Sequence, residues 1–98
     1  MIEVRQTQFF RDWLAALRDR KAALKIGARL DRLAVGNFGD VKPVGEGVSE
    51  LRINYGPGYR VYVVRRGSVL VVVLCGGDKA TQGRDIERAK AVARDLEV

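Results

Sequence analysis

The chain has 98 residues, 47% hydrophobic and 31% charged, which is ordinary globular usage and room for a single core. It contains no histidine, and this excludes a Ser-His triad, a histidine general base and the usual zinc sites. The formal net charge of +6, carried mostly by arginine, favours an anionic partner.

The longest apolar run, Val69 to Cys75, falls well short of the roughly 20 residues that span a bilayer. A lone cysteine, Cys75, allows no intrachain disulfide and suits a reducing compartment. No stretch near Met1 is apolar enough for a secretory signal. A single cytoplasmic domain over residues 1–98, with no membrane role, is therefore expected.

Ile2 and Val4 alternate with polar neighbours, a short strand. From Thr7, a plausible N-cap, the period changes, and Phe10, Trp13, Leu14 and Leu17 share one helical face. A turn at Arg18 to Lys21 leads into a second helix with Ala23, Ile26, Leu30 and Leu33 inward and Lys21, Lys25, Arg29 and Arg32 outward. Gly36 and Gly39 end it, and a loop is expected through Lys42-Pro43 to Gly47. Leu51, Ile53 and Tyr55 then alternate with Glu50, Arg52 and Asn54, a strand with one buried face.

After the turn Gly56-Pro57-Gly58, a further strand puts Tyr59, Val61 and Val63 on one face and Arg60, Tyr62 and Val64 on the other. Arg65 to Ser68 forms the next turn. Val69 to Cys75 reads as a central strand covered on both faces, closed by Gly76-Gly77. A last helix after Thr81 carries Ile86, Ala89, Ala93 and Leu96 inward.

Strands joined by such short turns must form an antiparallel meander. The fold class is α+β: a small, mainly meander sheet, an N-terminal helical hairpin on one face and a C-terminal helix. The opposite face, with Arg52, Arg60 and Tyr62, is expected to be at least partly open.

Three constellations carry chemistry. Glu50-x-Arg52 and Arg60-x-Tyr62 share one face of two neighbouring strands. Two arginines there repel unless carboxylates or an external anion offset them, so they form either a phosphodiester site or a solvated face with a Glu50–Arg60 ion pair. Gly76-Gly77-Asp78-Lys79-x-Thr81-Gln82 lacks Walker spacing. It is either a backbone approach point for an anion or a strand-to-helix turn capped by Asp78 and Thr81. The basic face of the second helix is either plain surface or a phosphate-backbone contact without specificity. Cys75 reads as core, as do Trp13, Phe9 and Phe10, and Asp85 complements the last helix's dipole.

Glu50-Leu51-Arg52-Ile53, Gly58-Tyr59-Arg60-Val61-Tyr62 and Leu74-Cys75-Gly76-Gly77-Asp78-Lys79-Ala80-Thr81-Gln82, with Asp85-Ile86 and Ala89-Lys90, resemble the RelE/HigB-type toxin superfamily. The likeness is nearest to its phage-derived "addiction module killer protein" branch and covers nearly the whole chain. It implies a RelE-like fold and a type II toxin neutralised by a cognate antitoxin, a helix-turn-helix protein. It also implies either ribosome-dependent cleavage of mRNA or, as in a sister group, non-enzymatic inhibition of a protein such as DNA gyrase. Arg60 and Arg52 match basic strand positions of the family, and Lys79 matches a basic residue after its last strand. Relatives with a catalytic Tyr or His near the C-terminus have no counterpart here, since nothing aromatic follows Tyr62. A member that keeps the fold with little activity is a further alternative.

Cleaving RNA through its own 2′-OH needs a base, cations for the phosphorane charge and an acid for the 5′-oxygen, but no metal or other cofactor. Arg52 and Arg60 would supply the cations. Lys79, its pKa lowered by the two arginines, would act as base or acid. Glu50 is the alternative base, and Tyr62 an acid or a stacking platform. RNA contacts, to mRNA on the ribosome and to rRNA, are expected at Lys42, Arg65, Arg66, Lys25 and Arg29.

Overall fold

A computed structural model describes residues 1–97. Thr7 starts the first helix by two bonds: Phe10 N donates to its Oγ1 at 3.1 Å, and that hydroxyl donates to the Leu74 carbonyl at 2.6 Å. The cap thus fixes the helix start and its seat on the sheet together. Helix α1 spans Gln8–Ala16 and α2 spans Arg20–Ala34, the latter capped by Asp19, which accepts from Ala22 N. Strands β1 (Glu3–Gln6), β2 (Val41–Gly45), β3 (Val48–Ile53), β4 (Tyr59–Arg66) and β5 (Leu70–Asp78) form one sheet in the order β1-β5-β4-β3-β2. A 3-10 turn over Lys79–Thr81 leads into α3, Gln82–Arg94. Strands β3 to β5 make the expected antiparallel meander, β2 extends it at one edge, and β1 lies parallel to β5 at the other.

Two apolar layers hold the sheet. Phe10, Ala22, Ile26, Leu30 and Leu33 of α1 and α2 pack on Leu51, Ile53, Val61, Val63, Val71 and Val73. Each fully buried aliphatic side chain there contributes roughly 1.5–3 kcal/mol. The opposite face is not left open as expected: Ala89 and Ala93 of α3 pack on Val48, Tyr62, Val64, Val72 and Leu74. That many aliphatic groups cannot stand in water, so α3 crosses that half of the sheet and buries them. Among the described residues, no helix is long and apolar enough to cross a membrane.

Three local expectations change. The loop around Lys42-Pro43 is instead the edge strand β2, whose register shifts between Pro43 and Gly45. It is mostly exposed, so no apolar alternation marks it, and proline is tolerated only at such an edge. Gly76 and Gly77 do not end β5 but pair with Val61 and Arg60 inside it. Phe9 is not core: it is half-exposed, with the Arg88 guanidinium 5.4 Å from its ring centroid.

A register shift between Tyr62 and Val63 explains the uninterrupted apolar run in β5. Tyr62 pairs with Cys75 and Val63 with Val73, so Leu74 is unpaired, and Leu74 and Cys75 both join the α3 side.

Candidate active site

Arg52 and Arg60 are directly opposite each other in the β3–β4 register, and Glu50 is opposite Tyr62 on the same face. Facing like charges destabilise a strand pair. Here a single carboxylate beneath them offsets the repulsion. Arg52 Nε donates to Glu50 Oε1 at 3.1 Å, and Arg60 Nε stands 3.9 Å from the same oxygen. The second oxygen, Oε2, accepts from Gln82 Nε2 at 2.7 Å and from the Tyr62 hydroxyl at 3.2 Å. Glu50 is fully buried, while the side chains of Arg60 and Arg52 are 14% and 32% exposed. Burial alone would raise the Glu50 pKa, but the bonds from Gln82, Arg52 and Tyr62 and the Arg60 charge outweigh it and hold the carboxyl below its ordinary value.

The glycines of β5 make this packing feasible. A Cβ on Gly76 would collide with the Trp13 ring, and one on Gly77 with the Asp85 carboxylate. They are there for close approach by neighbouring side chains, not by a ligand. The segment after them is the capped turn: Asp78 Oδ1 accepts from Ala80 N at 2.8 Å, and the Thr81 hydroxyl donates to Asp85 Oδ2 at 2.5 Å. Asp85 is therefore a buried, hydrogen-bonded side chain as well as a charge in the first turn of α3. Cys75 is core as expected, its thiol pushed up to about 11 by burial and by Asp85.

Lys79 follows β5 directly, and its amide donates to the Gly58 carbonyl at 2.9 Å, which draws the start of the 3-10 turn to the β3–β4 turn. The result is a cleft of about 270 Å³ lined by Asp40, Arg52, Asn54, Arg60 and Lys79, with Ile53 and Gly58. Three of the five expected catalytic residues meet in it. The Nη groups of Arg52 and Arg60 make no hydrogen bond to the described residues, and Arg60 Nε is a buried donor without an acceptor. A group that offers several guanidinium donors and few acceptors is suited to a phosphate.

The remaining expected residues are elsewhere. Glu50 is under the cleft, and Tyr62 is fully buried beneath α3, so neither contacts a bound molecule as the structure stands. Burial and the Glu50 carboxylate raise the Tyr62 phenol well above its ordinary value of 10.0. An open face carrying Tyr62 is thus corrected: α3 covers it because the valines beside it need cover.

Arg29 is corrected as well, being buried rather than outward. Its Nη1 donates to the Arg52 carbonyl at 2.5 Å and its Nη2 to those of Phe38 and Asp40 at 2.9 and 3.1 Å. It holds the loop that carries Asp40 against β3, with three of its donors committed to backbone carbonyls. Arg65 and Arg66 are at the far end of β4 from Arg60. Arg65 stacks 5.6 Å from the Phe38 ring centroid, and Arg66 donates to the Ala93 carbonyl. Lys42 is exposed on β2. Lys25, over the Tyr55 ring at 5.1 Å, lines a second cleft of about 320 Å³ with Arg32, Asn54 and Tyr55. Ile53 and Asn54 border both clefts, so the two meet around the end of β3.

Asp40, Asn54 and Gln82 have no expected role in the sequence reading. Gln82 belongs to a quoted motif, but nothing in one dimension links it to Glu50, 32 positions away. Among the described residues no group of three His, Cys, Asp or Glu side chains is placed to hold a metal ion.

The family model of "Phage derived protein Gp49-like (DUF891)" matches residues 12–96. The chain belongs to this family. A protein of Haemophilus influenzae, described as an uncharacterized protein, is 50% identical over 95 residues, 97% of this chain and 96% of its own. A chain in the crystal structure of the toxin-antitoxin complex RelBE2 from Mycobacterium tuberculosis is similar with a TM-score of 0.53. That match has 24% identity and covers 80% of this chain and 98% of the other, so it is a likeness of fold. The phage-derived family and the RelE-like fold expected from the sequence are therefore both established for this Gp49-like chain.

Proposed function

We propose that this Gp49-like protein is the toxin of a type II toxin-antitoxin pair and cleaves mRNA on the ribosome. The single observation that carries the reading is the convergence of Arg52, Arg60 and Lys79 in one cleft, with unspent guanidinium donors on two strands. The similarity in fold to a chain of a toxin-antitoxin complex supports a cognate antitoxin, expected to be a helix-turn-helix protein.

The chemistry follows from the cleft. The RNA 2′-OH attacks the adjacent phosphorus, forming a 2′,3′-cyclic phosphate as the bond to the 5′-oxygen breaks. Arg52 and Arg60 hold the non-bridging oxygens and stabilise the charge that builds on them. Of the expected bases, Glu50 is buried under three hydrogen-bond donors and the Arg60 charge and kept ionised, which makes it a poor proton acceptor. Asp40 is the carboxylate lining the cleft and takes the 2′-OH proton. Lys79, as an ammonium, gives its proton to the departing 5′-oxygen. Lys25 and Arg32, in the adjoining cleft, carry the flanking RNA backbone by charge.

The test is cleavage of mRNA on translating ribosomes by the purified protein, with products mapped by primer extension. Wild type should cut and leave a 2′,3′-cyclic phosphate, and Arg60→Ala should lose cutting while keeping its fold. Intact mRNA with folded wild-type protein rejects the nuclease reading.

A further inference from the structure

Arg52 and Arg60 both present Nε to Glu50, but unequally. Arg52 Nε donates to Oε1 at 3.1 Å, whereas Arg60 Nε stands 3.9 Å from the same oxygen as an ion pair without a hydrogen bond. Both residues line the cleft, and no described residue accepts a hydrogen bond from their Nη groups. A guanidinium on a flexible stem does not keep one orientation by itself, and two of them side by side repel. The carboxylate that orients them is itself immobilised from two other elements: Gln82, the first residue of α3, and Tyr62 on β4.

We propose that Glu50 is a positioning residue for the phosphate site, with Gln82 and Tyr62 as its supports. Its buried carboxylate takes the Nε edges of Arg52 and Arg60, so that both Nη edges face one phosphate. The inference rests on the nuclease reading only for its consequence in catalysis; the anchoring itself is independent of it.

Three features support it. Glu50 is buried with no exposed surface, so it cannot serve as a surface charge. Its Oε1 is directed at the two arginines and its Oε2 at the two supports, so the carboxylate has a bridging arrangement. The buried Arg60 Nε has no other acceptor among the described residues, and the Glu50 carboxylate, 3.9 Å away, is its ion-pair partner.

The experiment compares wild type with Glu50→Gln, Glu50→Asp and Gln82→Ala in two arms. The first follows the Nε–Hε resonances of Arg52 and Arg60 by NMR during titration with inorganic phosphate. Wild type should show both as protected peaks that shift with phosphate. Glu50→Gln should move them to solvent-like positions and weaken phosphate binding about tenfold or more, the ratio expected when one charge-assisted contact is lost. Gln82→Ala, which removes a support and leaves the charge, should shift them less and in the same direction, and it stands in if Glu50→Gln does not fold.

The second arm measures single-turnover cleavage on ribosomes. Glu50→Gln should lower the saturated cleavage rate at least tenfold with the half-saturating concentration changed less than threefold, because the arginines are needed most in the transition state. Glu50→Asp, which keeps the charge, should recover part of the loss. Arginine resonances and phosphate affinity unchanged in both Glu50→Gln and Gln82→Ala overturn the proposal, whatever the second arm shows. Wild-type protein that leaves mRNA intact but passes the first arm rejects the nuclease reading and leaves the anchor standing.

Discussion

The two faces of the sheet are built from the same strands and do opposite things. The face under α1 and α2 is apolar from Leu51 to Val73 and buries Arg29 only at its margin, where three backbone carbonyls take its donors. The face under α3 is apolar for half its length and then turns polar through Tyr62, Glu50 and Gln82 to Arg52 and Arg60. Arg29 and Arg60 are both largely buried cations. Arg29 gives three donors to backbone carbonyls, whereas Arg60 keeps an unpaired Nε. A buried donor without an acceptor is costly and rare, and here it belongs to a residue that lines the cleft and whose Nη donors are unspent.

The contrast breaks most readily by exchanging what is lost at the two arginines. Arg60→Ala should reduce mRNA cleavage by about 100-fold or more, in line with removal of one oxyanion-stabilising group, with a thermal midpoint close to wild type. Arg29→Ala should do the reverse in order: a stability loss of about 2–4 kcal/mol in urea unfolding, since three carbonyls lose a charged donor. If Arg29→Ala is as stable as wild type, the division between a structural and a functional arginine fails.

A smaller effect is expected at the close approach of β5 and α3. Gly77→Ala should cost about 1–3 kcal/mol, because its methyl must displace the Asp85 carboxylate. Gly27→Ala on α2, where a Cβ meets nothing within 4 Å, should instead stabilise by about 0.5–1 kcal/mol. The same unfolding experiment reads both.

Acid sharpens the comparison on the polar face. The Glu50 pKa is depressed in the folded chain, so its stabilisation is complete above the ordinary value of 4.5 and is lost as pH falls through the lower folded value. Wild type should lose stability over that interval, and Glu50→Gln should show a flatter profile there. Glu46, held down chiefly by its hydrogen bond from Arg94, falls in the same interval in both proteins and cancels in the difference. The least change is expected at Cys75: its buried thiol, near 11, should resist iodoacetamide at neutral pH in the native state and react once unfolded.

Short-range pattern accounts for most of the architecture. Alternation in Leu51–Ile53 and Tyr59–Val63, helical spacing in Ile26–Leu30–Leu33 and the caps at Thr7 and Asp78 each depend on neighbours within a few positions. The pairing of Arg52 with Arg60 was legible for the same reason, since a hairpin turn sets the register across it. The edge strand β2 was not, because an exposed strand containing Pro43 has no apolar period to detect.

The sequence alone therefore determined the family, the meander with its helical hairpin and the three cations that share the cleft, all of which follow from local periods and motifs. Only the tertiary structure decided which groups are accessible. Covering Val48, Val64 and Val72 required α3, and α3 buried Tyr62 and brought Gln82 to Glu50. Packing of the loop before β2 buried Arg29 and brought Asp40 to the rim. The charge of +6 has thus divided: Arg29 is held inside the fold, while Arg52, Arg60 and Lys79 share the cleft. Burial and long-range contact depend on where distant segments come together, and a linear pattern does not record that.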